Sequence, residues 1–325
     1  MANIQIGIVG SGNMSSRRAG KLSEQDDVTI RTIAARNPQT GPQLAAQFDA
    51  RHTTNWQDLL SDSEIDALFV GTHNEIHGAI VMAALEAGKH VFTEYPVSRY
   101  PDEARQIERL IAGPASPVLR VSNNESISAE HAALKTQVGK MGHLLATHFV
   151  RLTPGRGQRP EVLFNLKLSG PPALFFVYHL HTYVSLFGPA SRVHCSAEYE
   201  GLNTNSGYYR FANCLTVGFA SGGTGQWTWA GGIEIESATQ EACIVMSEGT
   251  LIETDTAWDI SLRSGRTELS FGENERSLEA RFVEDIQSST DWRKDTLVAL
   301  ASDAIGHAAE ISAAESRAVN ISEVT

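Results

Sequence analysis

Residues 4–22 read IQIGIVGSGNMSSRRAGKL. Ile4 to Val9 form an apolar run of strand length, and the chain then turns through Gly10, Gly12 and Ser15. The spacing is G-x-G-x-x-S. The first glycine permits a tight turn, and the second lets backbone approach a pyrophosphate. The third position needs only a small side chain for helix–strand packing, which Ser15 supplies. The helix that follows directs its N-terminus at the phosphates, so Gly10, Gly12, Asn13 and Met14 are candidate cofactor-binding residues.

The second apolar run, VTIRTIAARNP over 28–38, ends without a carboxylate. An acidic residue about 20 positions past the glycines would hydrogen-bond a free ribose 2′-hydroxyl. Ala35 and Arg36 stand there instead. A guanidinium meets a 2′-phosphate bidentately and stacks on adenine, which favours NADP(H), with NADPH preferred over NADH. The alternation then continues: helical QLAAQF (43–48), strand DALFVGTH (66–73), helical AIVMAALEAGK (79–89), strand HVFTEYP (90–96), helical PDEARQIERLIAG (101–113) and strand SPVLRVSNN (116–124). Strands alternating with helices of this length predict βαβ units, hence an α/β protein with an N-terminal doubly wound parallel sheet over residues 1–122. Ligands bind beyond the carboxyl ends of such strands. Those ends carry Gly10–Ser15, Ala35–Asn37, Thr72–His77, Glu94–Pro96 and Ser122–Glu125, which adds Thr72, His73, Asn74, His77 and Glu94 to the cofactor candidates.

Residues 123–325 have another texture, read as a substrate and oligomerisation domain. HLLATHFVRLTP (143–154), RVHCSAEYEG (192–201), YYRFANCLTVGFASGG (208–223), GQWTWAGGIEIESA (225–238), EACIVMSEGTLIE (241–253) and AWDISLRSGRTELSF (257–271) are strand-like pieces with glycine or polar turns. They predict an open, largely antiparallel sheet with helices on one face. Its other face could carry Trp227, Trp229, Phe211 and Tyr209 toward a ligand or a second copy of the chain, so a homo-oligomer through this sheet is an expectation. The closing segment TLVALASDAIGHAAEISAAESRAV (296–319) reads as a helix packing back on the first domain.

The net charge of −12, from 26 basic and 38 acidic residues, argues against nucleic-acid binding. Cys195, Cys214 and Cys243 are too scattered for a zinc site or a disulfide framework, and they suit a reducing compartment. The chain starts in a strand with no basic or long apolar leader, which predicts a cytoplasmic protein without a membrane span. In FFVYHLHTYVSLFG (175–188), read as one helix, Phe175, His179 and Thr182 share a face. His179 and His181 lie about 200° apart at helical pitch and cannot both face one metal.

The residues GIVGSG, Asp66, Thr72, Asn74, His77, the run Ala84-Leu85-Glu86-Ala87-Gly88-Lys89-His90-Val91, Glu94 and Pro96 resemble the Gfo/Idh/MocA oxidoreductase family. His73 stands where that family usually has proline. Tyr95 stands where its sugar dehydrogenases place a catalytic Lys, which works there with a downstream Asp-x-x-x-His pair. The matching Asp position here holds Phe175 or Phe176, and no carboxylate occurs between Glu161 and Glu198. One branch, the cyanobacterial-type biliverdin reductases, shows a similar pattern: Gly10, Gly12, Arg17, Arg18 and Ala19, then His77-Gly78-Ala79-Ile80, Glu94-Tyr95-Pro96 and Leu186-Phe187-Gly188. His179 falls where that branch carries an Arg. The resemblance implies an NADPH-dependent reductase of a conjugated, nitrogen-containing small molecule such as a linear tetrapyrrole. The alternatives are an imine or carbonyl reductase of a biosynthetic pathway, or an NADP(H)-binding sensor without turnover. Tyr95, with a phenol pKa of about 10, is expected to orient the substrate and His179 to deliver a proton. Arg17, Arg18 and Arg151 are candidates for substrate carboxylates, and His181 for a further substrate contact.

Overall fold

The computed structural model describes residues 3–123, 127–154, 161–254, 257–274, 276–288 and 290–325. Asn124 and Glu125, part of one expected strand tip, lie outside the described residues. The chain divides into two compact units, Met1–Asn124 with Glu275–Leu300, and Glu125–Asn274 with Ala301–Thr325.

The first unit runs β1 (Ile4–Val9), α1 (Asn13–Ser23), β2 (Val28–Ala34), α2 (Thr40–Gln47), β3 (Arg51–Thr53), α3 (Asp58–Ser61), β4 (Ala67–Val70), α4 (His77–Glu86), β5 (His90–Thr93), α5 (Pro101–Ile111) and β6 (Leu119–Val121). The six strands pair in parallel in the order β3-β2-β1-β4-β5-β6. This is the doubly wound order, whose connections reverse between β1 and β4. All four residues of β4 are buried, as a strand covered on both faces requires.

The second unit opens with α6 (Ala129–Val138), β7 (Leu144–Pro154), α7 (Leu166–Ser169), α8 (Pro172–Phe175) and α9 (Tyr178–Phe187). The strands β8 (Ala190–Glu200), β9 (Arg210–Phe219), β10 (Thr224–Ile233), β11 (Thr239–Met246), β12 (Gly249–Thr254), β13 (Ala257–Leu262) and β14 (Gly265–Glu268) follow. The chain then returns to the first unit through α10 (Leu278–Gln287) and enters α11 (Trp292–Glu315), within which the two units meet in sequence, before β15 (Val319–Asn320). The nine-stranded sheet has the order β14-β13-β12-β11-β7-β10-β9-β8-β15. Only β7 and β10 pair in parallel. Trp227 and Trp229 are almost wholly buried, and the Tyr183 ring of α9 meets Trp227 edge-on at 5.1 Å. Those tryptophans and Phe211 are therefore core, while Tyr209 is 46% exposed.

The expected single helix over 175–188 is two pieces. Phe176 (φ −99°, ψ 24°) ends α8, and His179 N–H donates to Phe176 O in a tightened turn before α9. Phe175 therefore does not share a helical face with His179. Among the described residues no helix is long and apolar enough to cross a membrane.

Three long-range clamps hold α10 and the first turns of α11 in the first unit. Arg18 of α1, 6% exposed, donates through Nε to Glu94 at 3.1 Å, through Nη1 to Glu279 at 2.6 Å, and to Ser122 Oγ. Arg120 of β6 donates to Asp285 and, at 3.3 Å, to Asp295. Thr296 Oγ1 donates to Leu119 O. Arg18→Met should leave two buried carboxylates without their cation, which costs about 3–5 kcal/mol. A urea midpoint within error of the unmutated protein would contradict this, and adding Glu279→Gln should recover part of the loss.

Candidate functional site

The carboxyl ends of β1 and β4 frame a cradle. Gly10 has φ +113°, and a Cβ there would meet Gly71 O at 2.5 Å, so the turn admits only glycine. Ser15 Oγ donates to the same Gly71 O at 2.9 Å and is fully buried, so this third position both packs and bonds. Gly12 is the reverse case: a Cβ there would meet no protein atom within 4 Å. It is exposed, caps α1 without a side-chain hydrogen bond, and precedes a first turn free of acidic residues. The open amides there, near Asn13 and Met14, fit a pyrophosphate.

At the end of β2, Ala35 is buried and its carbonyl lies 3.1 Å from His52 Nε2. Arg36 is exposed and makes no ion pair among the described residues. Asn37 Oδ1 accepts the amides of Gln39 and Thr40 at 3.0 Å, which opens α2, and Ser11 Oγ bonds Thr40 Oγ1 at 2.6 Å. The first unit thus presents a phosphate cradle, a free guanidinium and hydroxyls on one strand rim. Thr72, His73 and Asn74 follow β4 on this rim and are half-buried. Burial and then Arg36 lower the His73 pKa, against the opposing pull of Glu75.

Three expected ligand contacts turn inward instead. His77 is 1% exposed; its Nδ1 lies 2.9 Å from Pro96 O and its Nε2 3.1 Å from Thr72 O. It ties the tips of β4 and β5 together and holds the rim rather than a cofactor atom. Burial lowers its pKa, with the two carbonyls opposing. Glu94 is buried against Arg18, so its carboxylate positions the tip of β5; burial raises its pKa, with Arg18 opposing. Arg18 is committed to Glu94 and Glu279 and is no carboxylate receptor, whereas Arg17 is exposed. Tyr95 is half-buried, and its bond to Pro96 is cis.

In the second unit, His179 is 9% exposed among aromatic rings. Phe149 and Tyr178 have their centroids 4.5 and 4.1 Å from the imidazole, and Phe176 stacks on it at 5.4 Å. Trp229 Nε1–H donates to His179 Nδ1 at 3.0 Å. An indole nitrogen only donates, so Nδ1 carries no proton and the ring is the Nε2–H tautomer. Burial first and Arg151 second hold the His179 pKa well below the ordinary imidazole value. The expected proton-delivering imidazolium is therefore corrected to a neutral hydrogen-bond donor. Protonating Nδ1 would break the Trp229 bond and place a second cation beside Arg151. Nothing local in the sequence marks Trp229 as this partner, 50 residues from His179.

His181, on another side of α9, is 2% exposed, and neither ring nitrogen has a hydrogen-bond partner among the described residues. It is enclosed rather than presented to a substrate. Burial, then His131, holds it down to about 3; burial, then Lys135, holds His131 down to about 4. Among the described residues no three metal-ligating side chains are grouped.

Residues 4–116 match the family described as "Oxidoreductase family, NAD-binding Rossmann fold". The 1,5-anhydro-D-fructose reductase of Ensifer adhaerens is 31% identical over 140 residues, 39% of this chain and 42% of that protein. The chain spans about half or less of the length of the curated relatives it first matches. Among solved structures, biliverdin reductase of Synechocystis sp. PCC 6803 in complex with biliverdin and NADP+ superposes with TM-score 0.84 at 21% identity, over 96% of this chain and all of that one. Levoglucosan dehydrogenase in complex with NADH and L-sorbose superposes with TM-score 0.77 at 18% identity, over 99% of each chain. At these identities the structural likeness is one of fold.

Neutral buried histidines make stability depend on acid. In the unfolded chain His131 and His181 take up protons below about pH 6.5, and in the fold only near 4 and 3. The unfolded state therefore binds more protons across that window, and stability falls as pH drops from about 6.5. Each ring contributes a slope of up to about 1.4 kcal/mol per pH unit. His181→Leu should flatten the slope by one proton in urea titrations between pH 6.5 and 4. An unchanged slope would show that the fold already protonates His181.

Proposed function

We propose, for a chain whose residues 4–116 match the Gfo/Idh/MocA oxidoreductase family, an NADPH-preferring reductase of a conjugated, nitrogen-containing substrate of the linear-tetrapyrrole kind. The observation that carries this reading is the loss of a base. The β5 tip holds Tyr95, no carboxylate lies between Glu161 and Glu198, and Trp229 already occupies the basic nitrogen of His179. Oxidising an alcohol needs a group that accepts its proton. Reducing a conjugated system needs a hydride, a proton and hydrogen-bond donors around an electron-rich product, and donors are what these positions retain. The fold of the biliverdin reductase lends support.

Gly10, Gly12 and the first amides of α1 would hold the pyrophosphate, and Arg36 with Ser11 and Thr40 the ribose end. When bound, the dinucleotide supplies hydride to an electrophilic carbon. Tyr95 O–H donates a hydrogen bond at the β5 tip, where Arg18 and Glu94 fix the backbone. The proton reaches the substrate nitrogen from solvent or through that hydroxyl. Carbonyl reduction is a second reading, favoured by the 1,5-anhydro-D-fructose reductase among the sequence relatives. Following NADPH oxidation with biliverdin and with 1,5-anhydro-D-fructose in parallel separates the two, and oxidation with neither removes both.

Arg36→Ala should weaken NADPH about tenfold or more and leave NADH nearly unchanged, since one bidentate charge-assisted contact is lost. Equal affinities of the unmutated protein for both dinucleotides would remove the basis of that preference. Tyr95→Phe keeps the ring and loses the hydroxyl, and a fall of about tenfold in reduction rate is expected if the hydroxyl orients the substrate. An unaltered rate would reduce Tyr95 to a packing residue. Neither inositol nor glucose should be oxidised at neutral pH, and robust turnover of either would place a base elsewhere.

A further inference from the structure

The helix-facing side of the second sheet brings together two donors that have no hydrogen-bond acceptor among the described residues. Arg151 of β7 pairs in register with Trp229 of β10 on one side and Gln240 of β11 on the other, so the three side chains share a face. Phe149, two residues earlier on that face, has its ring 4.5 Å from His179. Arg151 is half-buried and makes neither an ion pair nor a hydrogen bond among the described residues. Glu253 is the acidic group of this face. It is buried, accepts Gln240 Nε2–H at 2.9 Å, and forms no ion pair with Arg151.

His179 supplies the second donor. Trp229 fixes its proton on Nε2, and that nitrogen has no partner among the described residues. The Arg151 charge is felt by Glu253 at a distance, but its half-buried N–H groups hold no acceptor among the described residues, so an arriving acceptor would gain charge-assisted hydrogen bonds there. One cation beside one neutral N–H matches the charge and the two oxygens of a carboxylate. Phe149, Phe176 and Trp229 are buried and hold the imidazole in place, and the half-buried ring of Tyr178, 4.1 Å from it, suits a flat body attached to the carboxylate.

We propose that Arg151 and the Nε2–H of His179 form a carboxylate-binding subsite in the second unit, which selects flat conjugated substrates bearing a carboxylic acid, with Trp229 as the positioning residue that sets the donating tautomer. The inference rests on the reductase reading for its substrate, but its test reads binding and not turnover. Visible-absorbance titration of the NADP+-loaded protein, which holds no hydride to transfer, should show biliverdin binding about tenfold or more tighter than its dimethyl ester. Arg151→Gln should abolish that preference by weakening the acid alone. Nitrogen-15 NMR of the unmutated protein should report His179 with a bare Nδ1 and a protonated Nε2, and Trp229→Phe should let the tautomers mix. Equal affinity for acid and ester, a preference that survives Arg151→Gln, or a proton on Nδ1 would each overturn the proposal. If neither tetrapyrrole binds, the tetrapyrrole reading fails by itself. Benzoate against benzamide then decides the subsite: tighter benzoate binding that requires Arg151 upholds it, and equal or absent binding of both overturns it.

Discussion

The guanidinium of Arg18 is the contact on which the first unit is organised. It reaches from α1 to the tip of β5 through Glu94, to the end of β6 through Ser122, and to α10 through Glu279, which is 261 residues away in sequence. A buried cation between two carboxylates does not by itself add stability, because all three groups give up water. What it adds is registration. The strand tip carrying Tyr95 is pinned from below by Glu94, and α10 is fastened to the same point. His77 performs the companion task with neutral groups, joining the tip of β4 to the tip of β5 through two backbone carbonyls. The tips of β4 and β5 are therefore held by buried polar contacts, whereas the β2 end of the rim rests on the exposed bonds of Asn37, Ser11 and Thr40.

A consequence is that several residues with the chemistry of a site are employed in holding it. Arg18, Glu94 and His77 have the charge or the donors to meet a ligand, and each points away from the open cradle at Gly12. The exposed residues there include the Gly12 backbone, Asn13, Met14, Arg36 and Asn37. That set is suited to binding anions and offers no group for proton transfer. Such a division keeps the dinucleotide end of the first unit chemically quiet, which suits a surface that has only to position a phosphate backbone.

The doubly wound half was legible because its signals are local. The glycine spacing, the apolar runs and the helix lengths each sit within a few residues, and the strand order follows from rules of connection. The mixed sheet was legible as a class, but the parallel pairing of β7 with β10 was not, since those strands lie about 70 residues apart and their pairing depends on packing. The site was less legible for the same reason. Arg18 resembles a substrate-binding arginine until Glu279 is seen beside it. Pro171 and Pro172 hint at a break before α9, yet a helical period drawn through Phe175 hides it. The tautomer of His179 depends on an indole from a different element, and no spacing rule reports such a partner.

The two histidines of α9 show how far environment outweighs identity. His181 has no hydrogen-bond partner among the described residues and is kept neutral by burial, with His131 adding to the effect. His179 is equally enclosed, but Trp229 makes its neutrality specific by choosing which nitrogen holds the proton. An imidazole fixed in this way cannot take a proton on Nδ1 without losing its partner, and it gains nothing as an acid near Arg151. It can still do what a backbone amide does, which is to present one N–H in a fixed direction. Under the proposed subsite, a fixed neutral donor beside a permanent cation would give the second unit directional recognition of an acceptor with little dependence on pH near neutrality. On the reading proposed above, recognition and proton supply would be separate problems: the first would fall to side chains locked by their neighbours, and the second to solvent or to the hydroxyl at the β5 tip.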